Sequence, residues 1–217
     1  MKKVIFSFIL IFCLSVFPAC KKECEYRHKF SQLRQTALYA EKDSYSLVCY
    51  PEIRENPYLD DGKQATLENC LIFKLTFKGK HTDFENCKIS FSVDKKEYCG
   101  EFEFKPLSSF LYCYLKVDSL PSACLFVNIS YDGKSDGVEL KPLKKTTTIS
   151  YCDAIEKLKT QDDSAVGLLN ANNEMRVRYI SSGDYDYWYL GFIGKDCKVS
   201  FLIDGETGEL VAKKDGL

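Results

Sequence analysis

The sequence predicts a mainly β protein, in which an N-terminal Ig-like β-sandwich is followed by a small α+β module made of a helix packed on an antiparallel meander. Three observations support this fold class. The 217 residues include 14 Tyr and 15 Phe, and aromatic side chains favour strands. Apolar and polar residues alternate with a period of two between residues 44 and 145, which is typical of half-buried strands. A capped helical pattern follows after residue 146.

The first 19 residues have the pattern of a secretory signal. Lys2 and Lys3 precede an apolar run over residues 4–17. This run is shorter than the roughly 20 residues that a membrane-spanning helix needs. We therefore expect residues 1–19 to be a signal peptide that is removed on export.

Residues 16–20 read Val-Phe-Pro-Ala-Cys and resemble the lipobox of bacterial lipoproteins. The resemblance implies that Cys20 is lipidated, becomes the mature N-terminus and anchors the protein on the extracytoplasmic side of the cell membrane. Phe17 and Pro18 depart from the usual Leu and Ser or Ala. A single acyl chain anchors only marginally, and bacterial lipoproteins carry two or three. A plain secreted protein and an uncleaved anchor are the alternatives.

The charge balance argues against nucleic acid as a partner. Removal of residues 1–19 takes away two lysines and no acidic residue, which leaves 28 basic and 31 acidic residues and a net charge of −3. Lys and Arg are not clustered anywhere along the chain. Non-specific nucleic-acid binding depends on such clusters, so we expect no nucleic-acid partner.

Nine cysteines remain when Cys13 and Cys20 are set aside. An exported protein with many cysteines normally forms disulfides, but nine is odd, so at least one thiol is free or pairs with another chain. The chain contains no C-x-x-C and only two histidines, which is unlike a zinc site. We expect most of these cysteines to behave as small buried hydrophobes.

Residues 20–43 precede the strand pattern. Tyr26, Phe30, Leu33 and Ala37 recur at helical spacing, and no Gly or Pro interrupts them. The segment is expected to be either a short amphipathic helix or a flexible tether that holds the folded part away from the membrane.

Residues 44–145 are expected to form the β-sandwich domain, with six or seven strands. Alternating runs separated by turn residues occur over residues 71–77, 87–94, 101–105, 111–117, 125–131 and 138–140. The domain is expected to be Ig-like, although Trp188, the single tryptophan, lies outside it.

Residues 146–217 are expected to form the α+β module, after a hinge at residues 141–145, and residues 142–148 are expected to be an exposed linker. Ser150 is a candidate N-cap, with Asp153 in the capping-box position. Residues 161–164 should weaken or break the helix, and three or four strands should follow. Cys152 and Cys197 should both face the core of this module, as a disulfide or as two buried thiols.

Residues 199–211, VSFLIDGETGELV, resemble the end of PepSY-like domains, in which a last strand leads into an Asp-x-x-Thr-Gly-Glu turn. The resemblance covers about residues 149–213. It implies a helix-and-meander module found in exported or membrane-attached proteins, some of which restrain peptidases. It supplies no catalytic residue.

Known catalytic motifs are absent from the sequence. It has no nucleophile elbow, phosphate-binding loop, dinucleotide fingerprint or H-E-x-x-H. His28 and His81 are expected to be exposed, in the tether and at a hairpin tip. Asp184 and Asp186 are expected to lie in a solvated turn, because the loop lacks the other ligands of a calcium site. No metal or cofactor is expected.

The aromatic run at residues 185–192 is the most suggestive feature for function. On a strand, Tyr185, Tyr187 and Tyr189 would share one face, and tyrosines are common in binding hot spots. A second buried apolar face is the alternative. We therefore expect a non-catalytic binding or modulating protein of the cell envelope, with an envelope protein or a glycan as its partner. An exported enzyme with an unrecognised site and a thiol-dependent redox or metal-binding protein are the alternatives.

Overall fold

The computed structural model describes residues 24–59, 61–79, 86–104, 108–195 and 197–216. Strands make up 55% and helices 13% of the structure, which confirms the mainly β prediction. Among the described residues, no helix is long and apolar enough to cross a membrane.

The N-terminal segment is part of the folded structure, and the expectation of a tether or amphipathic helix is wrong for residues 24–43. A 3-10 turn at Glu25–Lys29 leads into strand β1 (Phe30–Arg34) and strand β2 (Leu38–Glu41). β1 pairs in parallel with a strand near the other end of the chain. This distant pairing supplies backbone partners that the local spacing of apolar residues could not reveal.

The described part of residues 44–145 contains eight strands, rather than six or seven. They are β3 (Tyr45–Asn56), β4 (Thr66–Phe77), β5 (Lys88–Val93), β6 (Lys96–Glu101), β7 (Glu103–Phe104), β8 (Leu111–Lys116), β9 (Leu125–Tyr131) and β10 (Lys134–Pro142). β3, β4, β8 and β7 are consecutive neighbours in one part of the sheet, and β10, β9, β5 and β6 in another. The buried alternate residues of these strands form the first apolar cluster, which includes Phe73, Val127 and Leu140.

The C-terminal part contains two helices and a four-stranded meander. Helix α1 (Tyr151–Gln161) begins at Ser150, whose hydroxyl accepts a hydrogen bond from the Asp153 backbone N–H, as the capping pattern predicts. Asp162 ends α1 and caps helix α2 (Asp163–Asn170). Strands β11 (Glu174–Ser182), β12 (Tyr185–Ile193), β13 (Lys198–Asp204) and β14 (Leu210–Gly216) follow, each antiparallel to the one before.

A single long sheet crosses the boundary that the sequence suggested between two domains. β1 pairs with β11 on one side and with β3 on the other. One face of its C-terminal half, the helix-covered face, joins Val177, Trp188 and Phe201 to helix residues such as Ile155 in the second apolar cluster. The opposite face carries the alternate residues of the same strands, and we call it the helix-free face.

Candidate functional site

Strand β12 places the three candidate tyrosines on the helix-free face. Asp186, Trp188 and Leu190 alternate with them and are buried. Tyr185 is 61% exposed, and its ring stacks on that of Tyr187 with centroids 6.4 Å apart and planes 29° apart. The two rings form a small aromatic platform at the end of the strand.

Tyr189 continues this platform toward the middle of the sheet. The Tyr189 side chain packs over Gly191 of the same strand. A Cβ on Gly191 would lie 2.7 Å from the Tyr189 hydroxyl, so this packing requires a glycine at position 191. The guanidinium carbon of Arg178, on β11, is 5.2 Å from the Tyr189 ring centroid. At this distance a cation is attracted to the face of an aromatic ring.

A network of polar side chains extends the face beyond the tyrosines. Gln32 accepts hydrogen bonds from Arg178 Nε at 2.6 Å and from the Tyr58 hydroxyl at 2.8 Å. It donates to Glu52 at 2.6 Å, and Arg34 Nε donates to the same carboxylate at 2.6 Å. Glu52 is fully buried. Buried charges persist when paired and hydrogen-bonded, and this network meets that condition.

Tyr58 is the centre of a second set of contacts. The guanidinium carbons of Arg54 and Arg176 lie 3.8 and 4.2 Å from its ring centroid. Arg176 also donates to the Leu59 carbonyl oxygen at 2.6 Å and lies 3.3 Å from Glu174. The loop after β3 is therefore attached to the sheet by arginines of β3 and β11.

A third carboxylate, Glu68 on β4, lies opposite Arg54 across the strand pair. Lys116 approaches it at 2.8 Å, and the Tyr114 hydroxyl donates to its other oxygen. These two contacts lower the pKa of Glu68 to about 2, with burial opposing them. The helix-free face is thus lined by paired charges and aromatic rings from β12 to β8.

Asp186 lies on the helix-covered side and is 2% exposed, so the expected solvated turn is wrong for this residue. Its carboxylate accepts hydrogen bonds from the Tyr179 hydroxyl at 2.6 Å, from the Lys145 backbone N–H at 3.1 Å and from the Thr148 hydroxyl. Burial alone would raise the pKa of Asp186, but these hydrogen bonds lower it below its ordinary value.

The same contacts fasten the predicted hinge to the sheet, although residues 145–147 are exposed. The Leu143 backbone N–H donates to the Ala37 carbonyl, and the Ile149 backbone N–H donates to that of Gly205, at 2.8 and 2.7 Å. The Trp188 indole donates to the Ile149 carbonyl at 3.1 Å. Residues 143–149 therefore follow the sheet as a hydrogen-bonded strap.

Cys152 and Cys197 are both half-buried free thiols in the structure. Cys197 lies beside Gly194, where β12 ends. Ile149, next to the start of α1, lies against Trp188 and Gly205 at the other end of β12 and β13. No disulfide joins Cys152 and Cys197 in the structure. The neighbour of Cys152 is Cys24.

Several site residues found in the structure were missed by the sequence analysis. Gln32 and Arg34 lie in the segment expected to be a tether, and Tyr58 lies in a loop. Gln32, Leu33 and Arg34 alternate between polar and apolar residues, which is typical of a strand. Nothing nearby in the sequence indicates a strand with which this segment could pair. Cys20 and His81 lie outside the described residues. His28 is exposed, and its Nδ1 is 3.0 Å from the Glu25 carbonyl.

Two other observations bear on chemistry. Within the described ranges, no group of three His, Cys, Asp or Glu side chains could hold a metal ion. A trough of about 710 Å³ lies on the outer side of β5, β6 and β9, where Phe126 is 60% exposed and the free thiols of Cys99 and Cys124 line the walls.

Comparison of the chain with protein-family models, with curated proteins and with solved structures found no match. The function therefore has to be inferred from the arrangement of the side chains.

Proposed function

We propose that the chain is a non-catalytic glycan-binding protein of the bacterial cell envelope, lipid-anchored through Cys20 on the extracytoplasmic side of the membrane. The observation that carries the proposal is the exposed stack of Tyr185 on Tyr187, continued by Tyr189, on a face that no helix of the described residues covers. Tyrosine presents a large rigid surface at low entropic cost and is enriched where proteins bind other molecules.

A glycan matches the chemistry of this face. The apolar side of a sugar ring can stack on Tyr185 and Tyr187, and hydroxyl or carboxylate groups can hydrogen-bond Arg178. The partners described for Arg178 are neutral, namely Gln32, the Tyr58 hydroxyl and the Tyr189 ring. An anionic sugar substituent would supply the missing counter-charge.

The state of the carboxylates supports binding rather than acid–base catalysis. Glu52 is held by Arg34 and Gln32, and Glu68 by Lys116 and Tyr114. A general acid or base is usually tuned toward the working pH, whereas the pKa of Glu68 is displaced away from it. An exported enzyme with another site and a thiol-dependent redox or metal-binding protein remain the alternatives.

We also propose that residues 44–145 form an Ig-like sandwich and that residues 146–217 form a PepSY-like module. The first apolar cluster includes residues of β3 and β4 together with residues of β5 and β9, which supports an Ig-like sandwich of two packed sheets. The order of two helices and a meander in residues 151–216 supports a PepSY-like module.

The binding proposal is tested with a Tyr185→Ala, Tyr187→Ala double variant. Purified wild type should co-sediment with insoluble peptidoglycan, used as the glycan probe. The double variant should bind at least tenfold more weakly, because hot-spot side chains contribute about 2 kcal/mol. Phe126→Ala, equally exposed but on the outer side of β9, is the matched control and should bind like the wild type. Equal sedimentation of all three would refute the proposal, and cross-linking from position 185 to an envelope protein would replace the glycan by a protein.

The anchor is tested with Cys20→Ala. The variant should leave the membrane fraction and accumulate as uncleaved precursor, because the lipid-carrying sulfur is gone. Cys13→Ala is the control, since that cysteine lies within the predicted signal and should not affect fractionation. Membrane attachment of the Cys20→Ala protein would exclude lipidation at this residue.

A further inference from the structure

The N-terminal 3-10 turn lies along the side of helix α1. The Phe30 ring meets that of Tyr151 edge to face, with centroids 5.8 Å apart. The Lys159 ammonium lies 5.5 Å from the Tyr26 ring centroid. These contacts join both ends of the turn to the helix and hold Cys24 against its first turn.

Cys24 and Cys152 are neighbours at this junction, and their side chains interact. Cys24 is 8% exposed and belongs to the second apolar cluster, and Cys152 packs against the same cluster. Both are free thiols in the structure. Burial, together with a hydrogen bond and the charge of the neighbouring Cys152, raises the pKa of the Cys24 thiol to about 12.

We propose that Cys24 and Cys152 form a disulfide in the exported protein, and that this bond ties the first residues after the lipid anchor to helix α1. The proposal rests on the export that is part of the proposed function, because a reducing compartment would keep both thiols free. A disulfide between Cys24 and Cys152 uses two of the nine cysteines. The seven that remain need not form any further disulfide.

The oxidation balances as thiol–disulfide exchange. The Cys152 thiolate, which is the more exposed, attacks a sulfur of a disulfide-bearing oxidant and releases one thiol. Cys24 then loses its proton and attacks the Cys152 sulfur, forming the protein disulfide and releasing the second thiol of the oxidant. Two protein thiols are oxidised, and one oxidant disulfide is reduced to two thiols.

The order of attack has a kinetic consequence. The raised pKa of Cys24 means that little of it is thiolate near neutral pH. The second step should therefore be slow, and its rate should rise with pH by about tenfold per unit while Cys24 remains mostly protonated.

The test uses the full chain, purified in reductant and then placed in a buffer of oxidised and reduced glutathione. After alkylation of the remaining thiols and digestion, mass spectrometry should find the Cys24 peptide joined to the Cys152 peptide, with two hydrogens lost. Reduction should lower Tm by about 5 to 15 °C. Cys197→Ser, which alters another half-buried thiol, should keep both results, and Cys24→Ser should lose both.

Alkylated Cys24 and Cys152, or either one joined to a different cysteine, would overturn the proposal even if the variants fail to fold, because the peptide map is read on the wild type. Alkylation of free thiols inside living cells tests export of the protein separately from the ability of Cys24 and Cys152 to form a disulfide. A bond that forms in glutathione buffer but not in cells would contradict export of the protein and would leave the pairing itself supported.

Discussion

The two faces of strand β12 have opposite properties. On the helix-covered side, Asp186, Trp188 and Leu190 are buried, and Asp186 and Trp188 make hydrogen bonds that hold the strap at residues 143–149. On the helix-free side, Tyr185 and Tyr187 stack on one another and reach solvent. One side of the strand holds the fold together, and the other exposes aromatic rings to solvent.

This difference shows that burial of a polar group can identify a structural role. A buried carboxylate surrounded by donors has already used its hydrogen-bonding capacity within the protein. An exposed aromatic ring that makes no such contacts leaves apolar surface in water, which is unfavourable. Contact with a partner removes that surface from water. Substitutions on the two sides should therefore separate stability from binding.

The largest effect is expected for Asp186→Ala. The change leaves the Thr148 and Tyr179 hydroxyls and the Lys145 N–H without their acceptor, and should cost about 3 to 5 kcal/mol of the free energy of unfolding. Urea denaturation measures this loss. Limited proteolysis should cut within residues 143–148 in the variant but not in the wild type. Asp184→Ala, in the same turn, is the control and should change neither result.

A smaller loss is expected for Glu52→Gln on the polar part of the helix-free face. Gln keeps the shape and can still accept hydrogen bonds, but it removes the charge that faces Arg34, so about 1 to 3 kcal/mol should be lost. The matched control is Glu139→Gln, whose partner Lys141 lies 3.7 Å away at the surface and should contribute below about 0.5 kcal/mol. Equal effects of both substitutions would show that burial does not strengthen the Glu52 network.

Acid should weaken the fold partly through Glu68. Its folded-state pKa of about 2 is below the ordinary value of 4.5. Its contribution to the free energy of unfolding is therefore present above pH 4.5 and is lost as the pH falls toward 2. The lowered pKa of Asp186 acts in the same direction. Urea midpoints measured from pH 6 to 2 should fall less steeply for Glu68→Gln than for wild type. Parallel curves would mean that Glu68 is not stabilised in its charged form.

The smallest effect on stability is expected for Tyr185→Ala. Its ring is mostly exposed, so the free energy of unfolding should change by less than about 0.5 kcal/mol, while binding to peptidoglycan weakens. A loss above about 1.5 kcal/mol in urea denaturation would assign the tyrosine stack to the fold instead and would remove the contrast between the two faces.

The sequence predicted those elements whose pattern is complete within one segment. The alternation in β5 and β9, the Ser150 cap and the break between α1 and α2 depend on neighbouring residues, and each agrees with the structure. The tyrosines of β12 share a face because alternation alone determines it.

Features that depend on distant partners could not be predicted. Nothing near Phe30 indicates that Met175 is its partner in a parallel strand pair. The donors that hydrogen-bond to Asp186 come from residues 145, 148 and 179, and the polar side chains of Gln32, Glu52 and Arg178 come from three separate segments. Only the completed sheet brings these groups together.

The parallel pairing of β1 with β11 also determines how late in synthesis the protein can complete its fold. Phe30 must find Met175, about 145 residues further along the chain. β1, which lies between β11 and β3, is therefore made early in synthesis and can pair with β11 only after most of the chain has been made. Contacts of such long range slow folding, so the edge of β1 that pairs with β11 has no partner strand until nearly the whole chain is available.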